Sequence, residues 1–288
     1  MVLEAIKKLN YVPNELARSL FKKHSKILGV IVPHFTSYYI TELLDRIENH
    51  AINSDYRLMI CNSQGKEERE EKYLHAFQQY NIDGILLISN TKRIQDYKNL
   101  EVPIVAIDHN FSEEIPSITS DNEQGGILAA KKLLENNPKK IIHFRGPSDL
   151  ITVQARSDGF EATLDKADIK PIRCDLDFKS PQRILIEKTI NDHKDVDGVF
   201  CDSDVMALKA IQCLNKIGKK IPGEVQVIGF DDIELSKIFI PALSTIAQPT
   251  KKIAEHAVSA LIDLIHDKTT GIPAKKYPVR LIERETTI

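Results

Sequence analysis

The chain has 288 residues, 42% hydrophobic and 28% charged, which excludes a disordered chain and gives ample core for one large or two medium domains. It contains no apolar run of about eighteen residues, and a lysine-bearing start replaces the apolar segment of a signal peptide, so a cytoplasmic protein without membrane association is expected. Four scattered cysteines, Cys61, Cys174, Cys201 and Cys213, form no CxxC pair, so neither a zinc knuckle nor a disulfide frame is indicated.

The net charge of −2 hides an asymmetry. Residues 1–26 carry six bases against two acids, a net +4 that leaves −6 for the remainder. A basic arm on an acidic body suits a polyanion partner held at one end, although a solvated helix face reads the same way. Within the arm, NYVPNELARSL (10–20) has helical character.

The pattern then alternates. ILGVIVP (27–33) is an apolar, β-branched run followed by an amphipathic stretch from Tyr39 to Ala51. YRLMICN (56–62) reads as a strand, KEEREEKYLHAFQQY (66–80) as a helix, and DGILLIS (83–89) and PIVAID (103–108) as strands separated by a short polar helix. SDNEQGG (120–126) opens a helix with Ser120 and Glu123 at capping-box spacing. KIIHFRG (140–146), DGVFCDS (197–203) and EVQVIGF (224–230) are strands. VQARSDGFEATL (153–164) and VMALKAIQCLNKIG are helices, the second stopped at Gly218. A long amphipathic helix (249–267) and a strand-like tail (277–286) close the chain. Apolar runs flanked by helices imply parallel strands buried on both faces, and hence two open α/β lobes with a ligand at the carboxyl ends of the strands.

Those strand ends deliver HFTSYY (34–39), Asp108 and His109, Gly146 with Arg156 beyond it, Asp202 to Asp204, Asp231 with Asp232, and Gln248. Carboxylates and an arginine can bracket neighbouring hydroxyls, and an aromatic ring can cover the C–H face of a sugar. Asp108, Asp204 and Asp231 could equally cap following helices, and Tyr38 and Tyr39 could be ordinary loop aromatics. No GxSxG, HExxH, Walker or GxGxxG pattern is present, so an enzyme, a cofactor or a metal site is not expected.

Taken with AIKKLNYVPNELARSL, the segments SKILGVIVP, IDGILLIS, VPIVAIDHN, GPSDLITVQARSDGF, VFCDSDVMALKA and VIGFDDIELSKIFIPALSTIAQP resemble the LacI/GalR family of bacterial repressors in order and spacing along essentially the whole chain. The resemblance implies a two-lobed type I periplasmic-binding-protein-like core behind a short helical remnant of a DNA headpiece and a hinge helix. The implied domains are residues 1–26 (headpiece remnant and hinge), 27–119 with 250–277 (N-terminal lobe), and 120–249 with 278–288 (C-terminal lobe). The chain would cross between lobes near 118–120, 248–250 and 276–279. Residues 2–9 resemble the third headpiece helix and Pro13–Phe21 the hinge helix. By that likeness Leu20 wedges open a minor-groove base step, Asn14, Ala17 and Arg18 face the groove, and Lys22 lies near phosphate. An amphipathic linker packed on its own body is the plainer alternative.

A complete family member has roughly fifty further residues before this point, holding the helix-turn-helix. As given, the chain is therefore expected to show little sequence-specific DNA binding, and tight operator binding by residues 1–288 in a gel shift would contradict that. For the effector site the resemblance implies Tyr39 as a stacking ring, Asp108 as a hydroxyl acceptor, His109 where many relatives have arginine, and Arg156. It also implies Phe178 as a second ring, Ser203 in place of an asparagine, Asp231 and Gln248. The set most resembles ribose-type binders. The expected protein is a homodimeric, sugar-responsive repressor acting on operator DNA. A regulator answering to a purine or a phosphocarrier protein, and a free-standing sugar-binding protein, are the alternatives.

Overall fold

The computed structural model describes residues 24–89, 97, 100, 102–109, 115–178, 182–267 and 274–288. The helices expected over 2–9 and 13–21, and the residues assigned to DNA, lie outside them.

Strands β1 (Ile27–Val32), β2 (Arg57–Asn62), β3 (Gly84–Leu87), β4 (Ile104–Ile107), β5 (Ser117–Ser120) and β11 (Lys275–Tyr277) form one sheet. Its order is β11-β5-β4-β3-β1-β2, and every pairing is parallel. Strands β6 (Ile141–Arg145), β7 (Ile172–Asp175), β8 (Gly198–Cys201), β9 (Gln226–Asp231), β10 (Ser244–Ala247) and β12 (Arg280–Ile282) form the second, in the order β12-β10-β9-β8-β6-β7. Only β12 runs antiparallel to its neighbour. Each sheet winds outward from its first strand in both directions, so each has a switch point where a crevice opens at the carboxyl ends.

Helices cover both faces of both sheets, which matches the continuous apolar runs of β1, β3, β4 and β8. On the first sheet, α1 (Tyr38–Asn53) and α8 (Thr250–Ile265) bury Leu43, Ile47, Ala257 and Leu261 over one face. Leu74 and Phe77 of α2 (Glu67–Gln79) fill the other. On the second sheet, α5 (Arg183–Asp192) and α6 (Asp204–Lys216) share one core. Helices α3 (Asn122–Leu134) and α4 (Ile151–Asp165) share the opposite one with Phe200 and Phe230. The short α7 (Glu234–Ile238) follows β9. The chain passes between the sheets after β5, after β10 and between β11 and β12.

Asp83, just before β3, clamps the entry to the first sheet. Its Oδ1 accepts from the Ser25 amide (2.7 Å) and hydroxyl (2.9 Å), and its Oδ2 from the Lys26 amide (3.2 Å).

Three local expectations need correction. The cap of α3 is Asp121, whose side chain accepts from the Gln124 amide at 3.1 Å; Ser120 is the last residue of β5, so no capping box forms. β5 (SITS) and β7 (IRCD) are strands without an apolar run; β7 pairs with β6 alone and leaves Arg173 and Asp175 exposed. The tail is not one strand: β11 and β12 belong to different sheets and are parted at Pro278. The polar helix expected between 89 and 103 falls largely outside the described residues.

The Gly125-Gly126 pair, which fits no phosphate loop, has a packing reason. A Cβ on Gly126 would overlap the Arg156 carbonyl and the Phe160 amide, and one on Gly159 would overlap the Glu123 carbonyl. Helices α3 and α4 thus meet backbone to backbone. Gly126→Ala is expected to destabilise the fold by about 1–3 kcal/mol in urea unfolding, the typical cost of overpacking, and toward its upper end because the neighbours are backbone. A loss under about 0.5 kcal/mol, typical of surface changes, would mean that this contact is loose.

Candidate functional site

A cavity of about 300 Å³ lies between the carboxyl ends of the two sheets. Tyr39, Asp108, Arg156, Phe178, Ser203, Asp231 and Gln248 all line it. His109 does not. Its carbonyl accepts from the Ser117 hydroxyl at 2.6 Å, and its imidazole is lowered by burial with Glu70 acting in the opposite direction.

From the first sheet, Tyr39 at the start of α1 donates its hydroxyl to Asp108 Oδ2 at 2.6 Å. Asp108 follows β4 with φ at 58°, a left-handed conformation that Asp tolerates better than most residues. Burial, and then the adjacent Asp108, push the Tyr39 phenol well above its ordinary value. Burial also raises the Asp108 carboxyl, outweighing the Tyr39 hydrogen bond and the Arg156 charge.

From the second sheet, Asp231 ends β9 with φ at 121° and accepts from Gln248 Nε2 at 2.7 Å. Its neighbour Asp232 turns away to Arg284 Nη2 at 2.5 Å, so the two carboxyls do not act as a pair. Burial pushes Asp231 up to about 7 against the opposing pull of Arg156 and Gln248. Asp204, fully buried behind it, is raised well above its usual value by burial and then by Asp231. Neither Asp108 nor Asp231 caps a helix. The cap of α6 is Ser203, whose Oγ accepts from the Met206 amide at 3.3 Å, with Asp204 as the first helical residue.

Arg156 is the centre of the second sheet's contribution. Its guanidinium lies over the Phe230 ring, 3.4 Å from the centroid. Nη1 donates to the Asp202 carbonyl and Nη2 to Asn122 Oδ1 at 2.8 Å, while the buried Nε has no partner. Phe178 approaches Gly146 so closely that a Cβ there would overlap its ring edge. Sequence reasoning placed Asp202 at a strand end but not in the site, and did not single out Asn122. Each is visible only through the partner that Arg156 finds in three dimensions. Among the described residues no cluster of His, Cys, Asp and Glu could hold a metal ion, and no helix is long and apolar enough to cross a membrane.

Chemically, the cavity offers an aromatic face from each side, a buried cation, and carboxyls raised by burial. This suits a compact ligand dense in hydroxyls.

Residues 130–287 match the model of the periplasmic binding protein-like domain. The chain is 33% identical to the ribose operon repressor of Halalkalibacterium halodurans, over 99% of this chain and 87% of that protein. It is 32% identical to the HTH-type transcriptional repressor PurR of Aliivibrio fischeri, over 93% and 82%. Among solved structures it is similar to a periplasmic binding protein/LacI transcriptional regulator from Alkaliphilus metalliredigens complexed with D-xylulofuranose. That match has a TM-score of 0.82 at 31% identity, covering 91% of this chain and 99% of that one. The chain belongs to the LacI/GalR family of transcriptional regulators.

Asp231 gives a signed pH prediction. Its folded value of about 7 stands above the ordinary 3.8, so the native state holds the extra proton between those values. The stability contributed is full below about pH 4 and is lost as pH rises through about 7. Asp231→Asn removes that loss. The ligand-free variant should exceed the wild type at pH 8 by about 1–2 kcal/mol in urea unfolding, after allowing for solvent at this half-buried group, and converge with it near pH 4. A variant less stable than wild type at pH 8 would refute this.

Proposed function

We propose that this transcriptional repressor takes a free pentose, ribose before others, into the cavity between its sheets, and that binding changes the hold of its N-terminal arm on operator DNA. The observation that carries the reading is the meeting of Tyr39, Asp108, Arg156, Phe178, Asp231 and Gln248 on one cavity from elements far apart in sequence. The two rings would cover the faces of the sugar, with Asp231 and Arg156 bracketing hydroxyls on one side and Asp108 reached from the other. The ribose operon repressor and the xylulofuranose complex support a small sugar of this size.

Residues 27–119 with 250–277 and residues 120–249 with 278–288 are proposed as two lobes that close on the effector, with 1–26 as the DNA-facing arm of a cytoplasmic homodimer. Asp83 would carry lobe movement to that arm, because its carboxylate grips the chain at 25–26. Asn14, Ala17, Arg18, Leu20 and Lys22 remain the proposed DNA contacts on the sequence alone. The 32% identity to a PurR repressor keeps a purine as the competing effector, since the two rings would sandwich a base equally well.

A thermal-shift panel of pentoses, hexoses, sucrose, phosphosugars and purines tests the reading. Ribose at about a hundred times its dissociation constant should stabilise by about 2.7 kcal/mol, a shift of several degrees. Asp231→Ala should abolish the shift while the protein stays folded, and Arg156→Ala should abolish it too, at a cost in stability because Asp202 loses its partner. A shift with a purine alone, or normal ribose binding by both variants, would overturn the assignment.

A further inference from the structure

Beneath Arg156 lies a fully enclosed pair that the effector reading does not use. His143 of β6 is 0% exposed, stacks on Phe200 and packs at a tilt against Phe160, both at 4.9 Å between ring centroids, with the two phenyl rings themselves in contact. Its Nε2 lies 3.1 Å from Asp202 Oδ1, and its Nδ1 has no partner, so the ring's hydrogen belongs on Nε2. Asp202, 1% exposed, also accepts from the Gly146 amide at 2.9 Å through Oδ2. The same carboxylate stands 3.8 Å from Arg156 Nη1 and lines the cavity.

A carboxylate this deep is retained only when it is paired and hydrogen-bonded. Burial works to raise Asp202, but Arg156, His143 and the Gly146 amide together hold it below the usual carboxylate range. Asp202 is therefore ionised, and the charge of Arg156 is already matched within the protein. An anionic ligand would find no unmatched positive charge at Arg156, and would face the carboxylate of Asp202 on the cavity wall. An uncharged polyol needs only donors and acceptors, which Arg156, Gln248 and the carboxyls of the wall supply.

We propose that Asp202, held in place by His143 and Gly146, is the specificity residue that restricts the cleft to uncharged polyols and rejects phosphorylated and acidic sugars. This rests on the polyol reading of the cavity. Titration calorimetry of the full chain with D-ribose and D-ribose 5-phosphate tests it. The wild type should prefer ribose by on the order of a hundredfold or more, and Asp202→Asn should narrow that preference by at least about tenfold, because Arg156 then lacks its internal counter-charge. If Asp202→Asn does not fold, the double variant His143→Leu with Asp202→Ala removes the charge without stranding the imidazole, and the same narrowing is expected.

A wild type that binds both probes within about tenfold, or an unchanged preference in the variant that folds, overturns the role of Asp202 while leaving a sugar site in place. Wild-type binding of the phosphate alone does the same. Binding of neither probe sinks the ribose reading, and this inference with it.

Discussion

The site depends on a buried guanidinium. Arg156 sits 5% exposed at the junction of α4, β8 and β9, where an uncompensated charge would cost several kcal/mol. Compensation comes from four directions: the Phe230 face, the Asp202 carbonyl, the Asn122 side chain and the Asp202 carboxylate. These groups come from three separate stretches of chain, around Asn122, Asp202 and Phe230, so the arginine can be buried only once the second sheet and α3 have assembled. The contact of α3 and α4 through Gly126 and Gly159 serves the same end, because it sets the turn of helix from which Arg156 projects.

The two sheets meet over this charge with opposed tasks. The second supplies a buried cation held by Asp202 and Asn122, and a carboxyl, Asp231, that burial pushes up to about 7. The first supplies Asp108, also raised by burial, with Tyr39 bound to it at 2.6 Å. Crowding carboxyls in one cavity costs stability in the absence of ligand, as functional sites commonly do. A polyol recovers that cost by giving each carboxyl a hydroxyl partner.

Much of this was legible in the sequence because buried parallel strands announce themselves as continuous apolar runs. ILGVIV, GILL, IVAI and GVFC needed no further information. Strand ends could then be listed as candidate site positions, and the family resemblance selected among them. What stayed hidden is instructive. SITS and IRCD have too few apolar residues to be told from loop, and only pairing makes them strands. His109 shows that a position adjacent to a site residue can face away from the site. Asp202 was visible at its strand end, but its importance depends on His143 and Arg156, 59 and 46 residues distant in sequence. No local pattern encodes such a pairing.

The most direct test of the central claim is a crystal structure of the chain grown with saturating D-ribose. A pentose should lie between the Tyr39 and Phe178 rings, with hydroxyls within about 3 Å of Asp231, Arg156 and Asp108. An empty cavity at saturation, or a sugar bound away from Arg156 and Asp231, would contradict it.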